Sequence, residues 1–580
     1  MTNGHDPNKM DLEKRLLLAM LLSMAVLLIT PHLYQAYFPP PPAPEAPLEQ
    51  SEQAEAPTAT PEARVQAPPP QLGPAGEGER TEATAREITV ENEDLTLRWT
   101  TVGGGLQSVL LKKYRAAPDD SAVGEDNFSS EPELLDVIPQ GLPATLPRPM
   151  TIRVDDDSLN RELETAVYEV VGGKAELLEA PAEFELFYAS SNVQVRRKFE
   201  IPESGYEVRM ETEVLAGGRA IPFSVVLGAG IGKVEPEAAV TGDFSYPAIK
   251  RYVGDTVESY DAGDLEDGAR DLVSGARWVG LDSQFFAYLI LDSEDIRSTR
   301  LSRVEWTRTE PDEEIVPLLV CEVGFNGKAS YSFFAGPKDQ TILKQTDPSL
   351  IGLIDYGWFA LLVKPLVFAL KFTHGFVGNY GWSIIILTFV INLALFPVRY
   401  KQMASMKKMA ALQPKLKSIQ DRYKRMKRDD PRKQQMNTEV MALYKGHGVN
   451  PLGGCLPLVI QMPFLISFYR MLASSIELRG APFMGWIQDL SQHDPYYITP
   501  VVMGVSMVLQ QKMTPATGDP TQRRMMMMLP VVFTFFFLNL SSGLVVYFLF
   551  SNLFAMMFQV LMQRLKADDV PVKQKGAKKG

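Results

Sequence analysis

Cysteine is nearly absent, with two in 580 residues, Cys321 and Cys455. Cys321 falls in a stretch of soluble character and Cys455 at the head of an apolar run, so a bridge between them is not expected. With no CxxC pair and no repeated spacing, disulfide frameworks, thiol redox chemistry and thiolate metal sites are excluded. Histidine is scarce too: His5, His32, His374, His447 and His493 are all there are, and none falls in residues 86–345. An imidazole acid/base site is therefore excluded from that region. Asp, Glu and His are missing from each run read below as a membrane span. Proton-coupled transport and intramembrane proteolysis both need such groups at membrane depth, so both classes are disfavoured.

What is present divides the chain. The net charge of −12 averages an acidic region before about residue 350 and a basic C-terminal third, a segregation that fits faces on two sides of a membrane. Residues 16–30, LLLAMLLSMAVLLIT, follow Lys14 and Arg15; the run suits a first membrane anchor or a signal core, and with no small-x-small cleavage site after it the anchor is preferred. The anchor and its N-terminal flank occupy residues 1–31. Residues 32–85, rich in Pro, Ala, Glu and Gln from 39 to 80, are expected to be a disordered tether. Two-residue alternation then dominates 86–345, as in EITVENEDLTLRW, QVRRKFEI and YEVRMETEV, and predicts a mainly antiparallel β-sandwich without helices, its charges facing outward.

Residues 350–376 are apolar but contain Lys364, Pro365 and Lys371, which suits a helix lying in the membrane interface better than a span. Spans are predicted at 381–399, 453–473, 496–512, 526–540 and 542–562, the last four within 453–565. With the first anchor this makes six. The intervening loop, residues 400–450, is strongly basic: residues 399–450 hold fourteen Lys/Arg against four Asp/Glu. The tail at 566–580 is basic too, and the positive-inside rule then sets both termini in the cytoplasm.

Within the basic loop, Leu412, Leu416, Ile419, Tyr423 and Met426 follow four- and three-residue steps, and Met436, Val440 and Leu443 begin a return. The pattern predicts an antiparallel helical hairpin. Its Lys415, Lys417, Arg422, Lys424 and Arg425 have two readings, topology-setting charge or contacts to ribosomal RNA phosphates. The spans hold scattered neutral polar groups, among them Thr388, Asn392, Gln461, Tyr547 and Ser551. These too have two readings: hydrogen bonds holding a bundle together, or the lining of a water-accessible groove.

The C-terminal third resembles the YidC family of membrane protein insertases. The resemblance rests on GNYGWSIIILTFVINLALFPV (378–398), LQPKLKSIQDRYK (412–424), ALYKGHGVNPLGGCLPLVIQMPF (442–464), SIELRGAPFMGWIQDLSQHDPYYITP (475–500), QQKMTP (510–515), LPVVFTFFF (529–537) and SGLVVYFLFSNL (542–553). It implies a polytopic helical inner-membrane protein with five spans in its core and a periplasmic all-β supersandwich. It also implies a non-enzymatic insertase and chaperone without cofactors, whose polar groove opens to the inner leaflet. Implied partners are nascent integral membrane proteins, the Sec translocon, the ribosome and membrane lipids. The alternative is a scaffold that assembles membrane complexes without inserting them. The resemblance implies a positive residue in the second span, where this chain has Asn392. Arg470 in the third span is the candidate replacement, the other reading being an arginine that reaches to the span's end.

Overall fold

The computed structural model describes residues 85–565 apart from 117–132, 144, 172–176, 233–246, 274, 292–295, 309–313, 424–431, 448–455 and 514–519. The expected anchor, the Pro-rich tether, Cys455 and the basic tail lie outside the described residues. The chain packs as two units, Glu82–Pro515 with Leu529–Gly580, and Met1–Thr81 with Ala516–Met528. Of the latter only residues 520–528 are described, and they are helical.

Residues 87–337 form three sheets. A ten-stranded antiparallel sheet runs from Thr256–Tyr260 at one edge, through Ala248–Val253, Ala276–Asp282, Phe286–Leu291, Lys328–Pro337, Glu207–Ala216, Val193–Ile201 and Ala182–Ala189, to Glu169–Val171. The tenth strand, Arg219–Ala220, pairs with the end of Glu207–Ala216. Two five-stranded sheets accompany it, antiparallel except where Glu87–Glu91 meets Leu177–Glu179. One apolar core joins all three, centred on groups such as Trp99, Phe184 and Phe199, whose rings lie 4.4 to 6.3 Å apart.

Alternation read along the sequence becomes alternation of burial in Val193–Ile201, where every odd-numbered residue is buried. One of those inward positions is Arg197, fully buried, donating to the Gly104 carbonyl at 2.7 Å and lying 5.3 Å over the Phe199 ring. The expectation that charges face outward fails there, because pleat parity fixes the direction of residue 197 whatever its chemistry. Phe286–Ile290 is buried on both faces; a strand in mid-sheet with both faces covered loses its alternation. A helix, α1 (Asp157–Thr165), also interrupts the strands, its N-terminus capped by Asp156, which accepts from Ser158 N and Leu159 N.

After α2 (Gln340–Thr346) the chain turns helical: α3 (Ala360–Val377), α4 (Tyr380–Ala394), α5 (Phe396–Ala411), α6 (Gln413–Tyr423), α7 (Arg432–Gly446), α8 (Leu456–Ser474), α9 (Ile498–Met513), α10 (Pro520–Phe536) and α11 (Ser542–Leu565). Among the described residues, α3 and residues 542–561 of α11 are long and apolar enough to cross a membrane, and α4 and 526–536 are shorter apolar segments. The run expected to continue through residue 399 breaks at Leu395. Pro397 explains the break: it has no N–H to donate, and its ring excludes the Leu393 carbonyl.

The β-domain and the helices meet at a built junction. Gln284 donates to the Ala473 carbonyl at 3.0 Å, occupying an orphan acceptor at the end of α8. Arg479 donates to the Arg115 carbonyl at 3.0 Å and lies 5.2 Å over the Phe286 ring. Lys371 of α3 pairs with both Asp339 and Glu477. The loop before α9 is held by buried Asp494, which accepts from Thr499 N and Oγ1 at 2.7 Å and from Trp486 Nε1 at 2.9 Å.

Candidate functional site

The buried face of α4 carries Thr388 and Asn392, 0% and 2% exposed. Thr388 Oγ1 donates to the Ile384 carbonyl at 2.6 Å, and Asn392 Nδ2 donates to the Thr388 carbonyl at 2.8 Å. The second bond fixes the amide, since a flipped group would set two acceptor oxygens against each other. Asn392 Oδ1 is therefore turned away from its own helix. It is buried and has no hydrogen-bond partner among the described residues. An unmatched buried acceptor costs about 1–3 kcal/mol.

Tyr547 and Ser551 on α11 are one helical turn apart, share a face and are both buried. The Tyr547 ring stacks on Phe468 of α8 at 4.0 Å. Phe389 meets Phe554 at 5.2 Å and Phe396 meets Phe558 at 5.3 Å, locking α4 and α5 against α11. Phe389–Phe554 and Phe396–Phe558 pair the two helices in parallel, so Asn392 lies one turn beyond the first contact and Ser551 one turn before it. Arg399, partly buried on α5, is close enough for its charge to act on the Tyr547 hydroxyl. Sequence reasoning took Arg399 as the last residue of a span. Only the break at Leu395 sets it on a separate helix beside α11, and a proline two residues before it was the available signal.

Arg470, the expected groove charge, is placed elsewhere. It lines a cavity with Lys250, Asp282 and Lys338 of the β-domain, and a Cβ at Gly357 would sit 3.7 Å from its Cζ. Helix geometry gives the reason: residues 468 and 470 point roughly 200° apart around an axis, so with Phe468 on Tyr547, Arg470 faces away. Gln461 lies in α8, its side chain outside the description. Other neutral polar groups join helices directly, Asn552 donating to Ser506 Oγ at 3.2 Å and Gln559 to the Met513 carbonyl at 2.6 Å.

In the basic loop α6 packs on α7, burying Leu416 and Ile419, with Arg422 and Tyr423 both bonded to Glu439 at 2.8 Å. Lys415, Lys417 and Arg422 are exposed, while Lys424 and Arg425 lie outside the described residues. Among the described residues no three His, Cys, Asp or Glu side chains are grouped to hold a metal ion.

The periphery of the helical half is apolar, with Val501, Val505, Val531 and Phe535 more than half exposed. The site thus combines an apolar surround with a buried neutral polar row and a cation at one end, an arrangement that offers hydrogen bonds to a polar chain without fixing a charge in hydrocarbon.

Two family models cover most of the chain: the 60Kd inner membrane protein family matches residues 372–569, and the YidC periplasmic domain matches residues 87–369. The membrane protein insertase YidC of Geobacter metallireducens is 35% identical over 94% of this chain and 98% of its own length. That of Syntrophus aciditrophicus is 34% identical over 93% of this chain and 98% of its own length. A solved structure of an active YidC insertase with its first transmembrane domain resolved covers 82% of this chain and 92% of its own, with 19% identity and a TM-score of 0.35. With these matches running through both the β-domain and the helical half, the chain belongs to the YidC family of membrane protein insertases.

Proposed function

We propose that this protein inserts integral membrane proteins by drawing the polar tail of a substrate along the face formed by α4, α5, α8 and α11. The apolar segment of the substrate then slides out between these helices and lipid. The observation that carries this reading is Asn392 Oδ1, a buried acceptor without a partner among the described residues, in a row with Thr388 on the face of α4 that packs on α11, the helix of Tyr547 and Ser551. It is an acceptor for a backbone N–H or side-chain donor of a passing chain, which lowers the barrier to carrying polar groups through the membrane. Arg399 supplies positive charge near Tyr547, in place of the cation that Asn392 lacks.

In this reading six spans leave both termini in the cytoplasm, α3 lies in the interface with its Phe368, Phe372 and Phe376 edge in lipid, and α6–α7 projects toward ribosomes. The Sec translocon is a partner for longer substrates. The test is protease protection of a small single-span substrate, using purified protein in liposomes without Sec components. Protected fragments above empty liposomes are expected. Background-level protection, with an active insertase run in parallel, overturns autonomous insertion and favours a scaffold.

A further inference from the structure

Between the β-domain and the end of α8 lies a cavity of about 130 Å³. Its charged lining is Lys250, Lys338 and Arg470 against Asp282 and Asp355, three cations and two carboxylates. The balance is one positive charge (3 − 2 = 1). Asp282 already serves two of the cations, 2.7 Å from Lys250 Nζ and 3.0 Å from Lys338 Nζ. Lys338 also donates to the Ser283 carbonyl at 2.7 Å and Lys250 to the Leu353 carbonyl at 3.1 Å. All three side chains are close to or beyond nine-tenths buried, with 11%, 9% and 5% of Lys250, Lys338 and Asp282 exposed.

The buried part of this set is two ammonium groups on one carboxylate, and a buried excess of positive charge is expensive unless an anion compensates it. Burial holds the Lys338 ammonium below the usual lysine range despite the attraction of Asp282. The space is ample for one tetrahedral oxyanion, since a water takes about 30 Å³. A guanidinium beside ammonium groups matches phosphate chemistry. The match of residues 87–369 to a periplasmic domain sets this end of α8 on the periplasmic side, at the depth of lipid headgroups if α8 spans.

We infer that this cavity binds a phosphate-type oxyanion, joining the periplasmic domain to the membrane helices through it. The inference rests on the membrane placement of α8 but not on the groove. Ser259 lies opposite Lys250 in the strand pair Thr256–Tyr260 with Ala248–Val253, and it is exposed at the cavity.

The test uses the full-length protein with two readouts. Inorganic phosphate binding is measured by calorimetry in neutral detergent, and retained lipid by native mass spectrometry after exchange into phosphatidylcholine with or without phosphatidylglycerol. Wild-type protein is expected to bind one phosphate or retain one phosphatidylglycerol. Arg470→Gln is expected to weaken that binding roughly tenfold, as for loss of one charge-assisted bond. Ser259→Glu, a surface change that leaves the buried pairs intact, is expected to weaken it similarly by neutralising the excess charge. Exposed Lys344→Gln serves as the control and leaves binding unchanged. Phosphatidylglycerol retained in a variant-sensitive way identifies a headgroup as the source, and phosphate binding with no lipid preference identifies the free ion. No binding of either, or binding indifferent to both variants, overturns the inference and leaves the cluster as an ion-pair latch. Liposome insertion assayed on the same preparations separates this outcome from failure of the proposed groove.

Discussion

The two halves of the molecule handle polarity in opposite ways. In the β-domain, charge sits mainly on the surface as ion pairs, such as Arg196 with Glu185 and Lys328 with Glu211, over a core of large apolar groups. In the helical half the exposed positions include Val531, Phe535 and Leu509, while Thr388, Asn392, Ser467, Ser506 and Ser551 are buried. The interior of the first is mainly apolar, with a few buried charges such as Arg197 and Asp282. The second turns its apolar side out and keeps neutral polar groups within, satisfying most of them on helix carbonyls, as Ser467 does at Pro463 and Ser506 at Met503. The difference teaches where a polar group can lie close to an apolar surface: among the helices, where Asn392 Oδ1 is buried and unmatched beneath exposed apolar side chains.

The largest expected effect tests the apolar core. Trp99→Ala or Phe199→Ala removes a fully buried ring and is expected to destabilise the β-domain by about 3–5 kcal/mol, read as a lower midpoint of thermal unfolding by circular dichroism. Phe535→Ala on the exposed face of α10 is expected to change the midpoint in detergent little, within about 0.5 kcal/mol. Equal losses at both places would erase the contrast.

Next comes the groove cation. Arg399→Gln is expected to reduce insertion of a substrate with an acidic tail roughly tenfold, as for loss of a charge-assisted bond, and to spare a substrate with a neutral tail. Equal loss for both tails would assign Arg399 a structural role. Asn392→Leu sharpens the comparison further. Replacing a buried amide whose oxygen is unmatched with an apolar group of similar size is expected to leave stability unchanged or raise it by about 1 kcal/mol, while insertion falls. Parallel loss of stability and insertion would show that Asn392 serves packing.

The smallest effect concerns Asp494. Burial alone would raise its pKa, but hydrogen bonds from Thr499, Tyr496 and Trp486 outweigh burial and hold it below the usual carboxylate range. A depressed folded-state value means the contribution is fully present above the unfolded value, about 3.9, and is lost as pH falls through the lower folded one. Wild-type stability should therefore fall with acid in that window, and Asp494→Asn should flatten this dependence while lowering stability at neutral pH. An unchanged acid profile would remove Asp494 from the account.

Much of the β-domain was legible because alternation is a local property: Val193–Ile201 carries its buried face in its own residue order. The doubly buried Phe286–Ile290 was not, since which faces are covered depends on strands far along the chain. Buried Arg197 escaped for a related reason, because its partners Gly104 and Phe199 become a pocket only after three sheets assemble. At the site, Thr388 and Asn392 were legible as one helix face. The placement of Arg470 and the role of Arg399 were not, because a two-residue offset on α8 and a break at Leu395 decide directions in space.

By itself, the sequence determined the family, the alternation of the β-domain, and the apolar character of the predicted spans with the absence of Asp, Glu and His from them. These follow from residue order and composition, which need no partner to be read. The tertiary structure alone decided which polar atoms go unmatched, which arginine approaches Tyr547 and which charges gather between the two halves. Those facts are differences between the demand of a group and the supply around it, and the supply comes from residues distant in the chain.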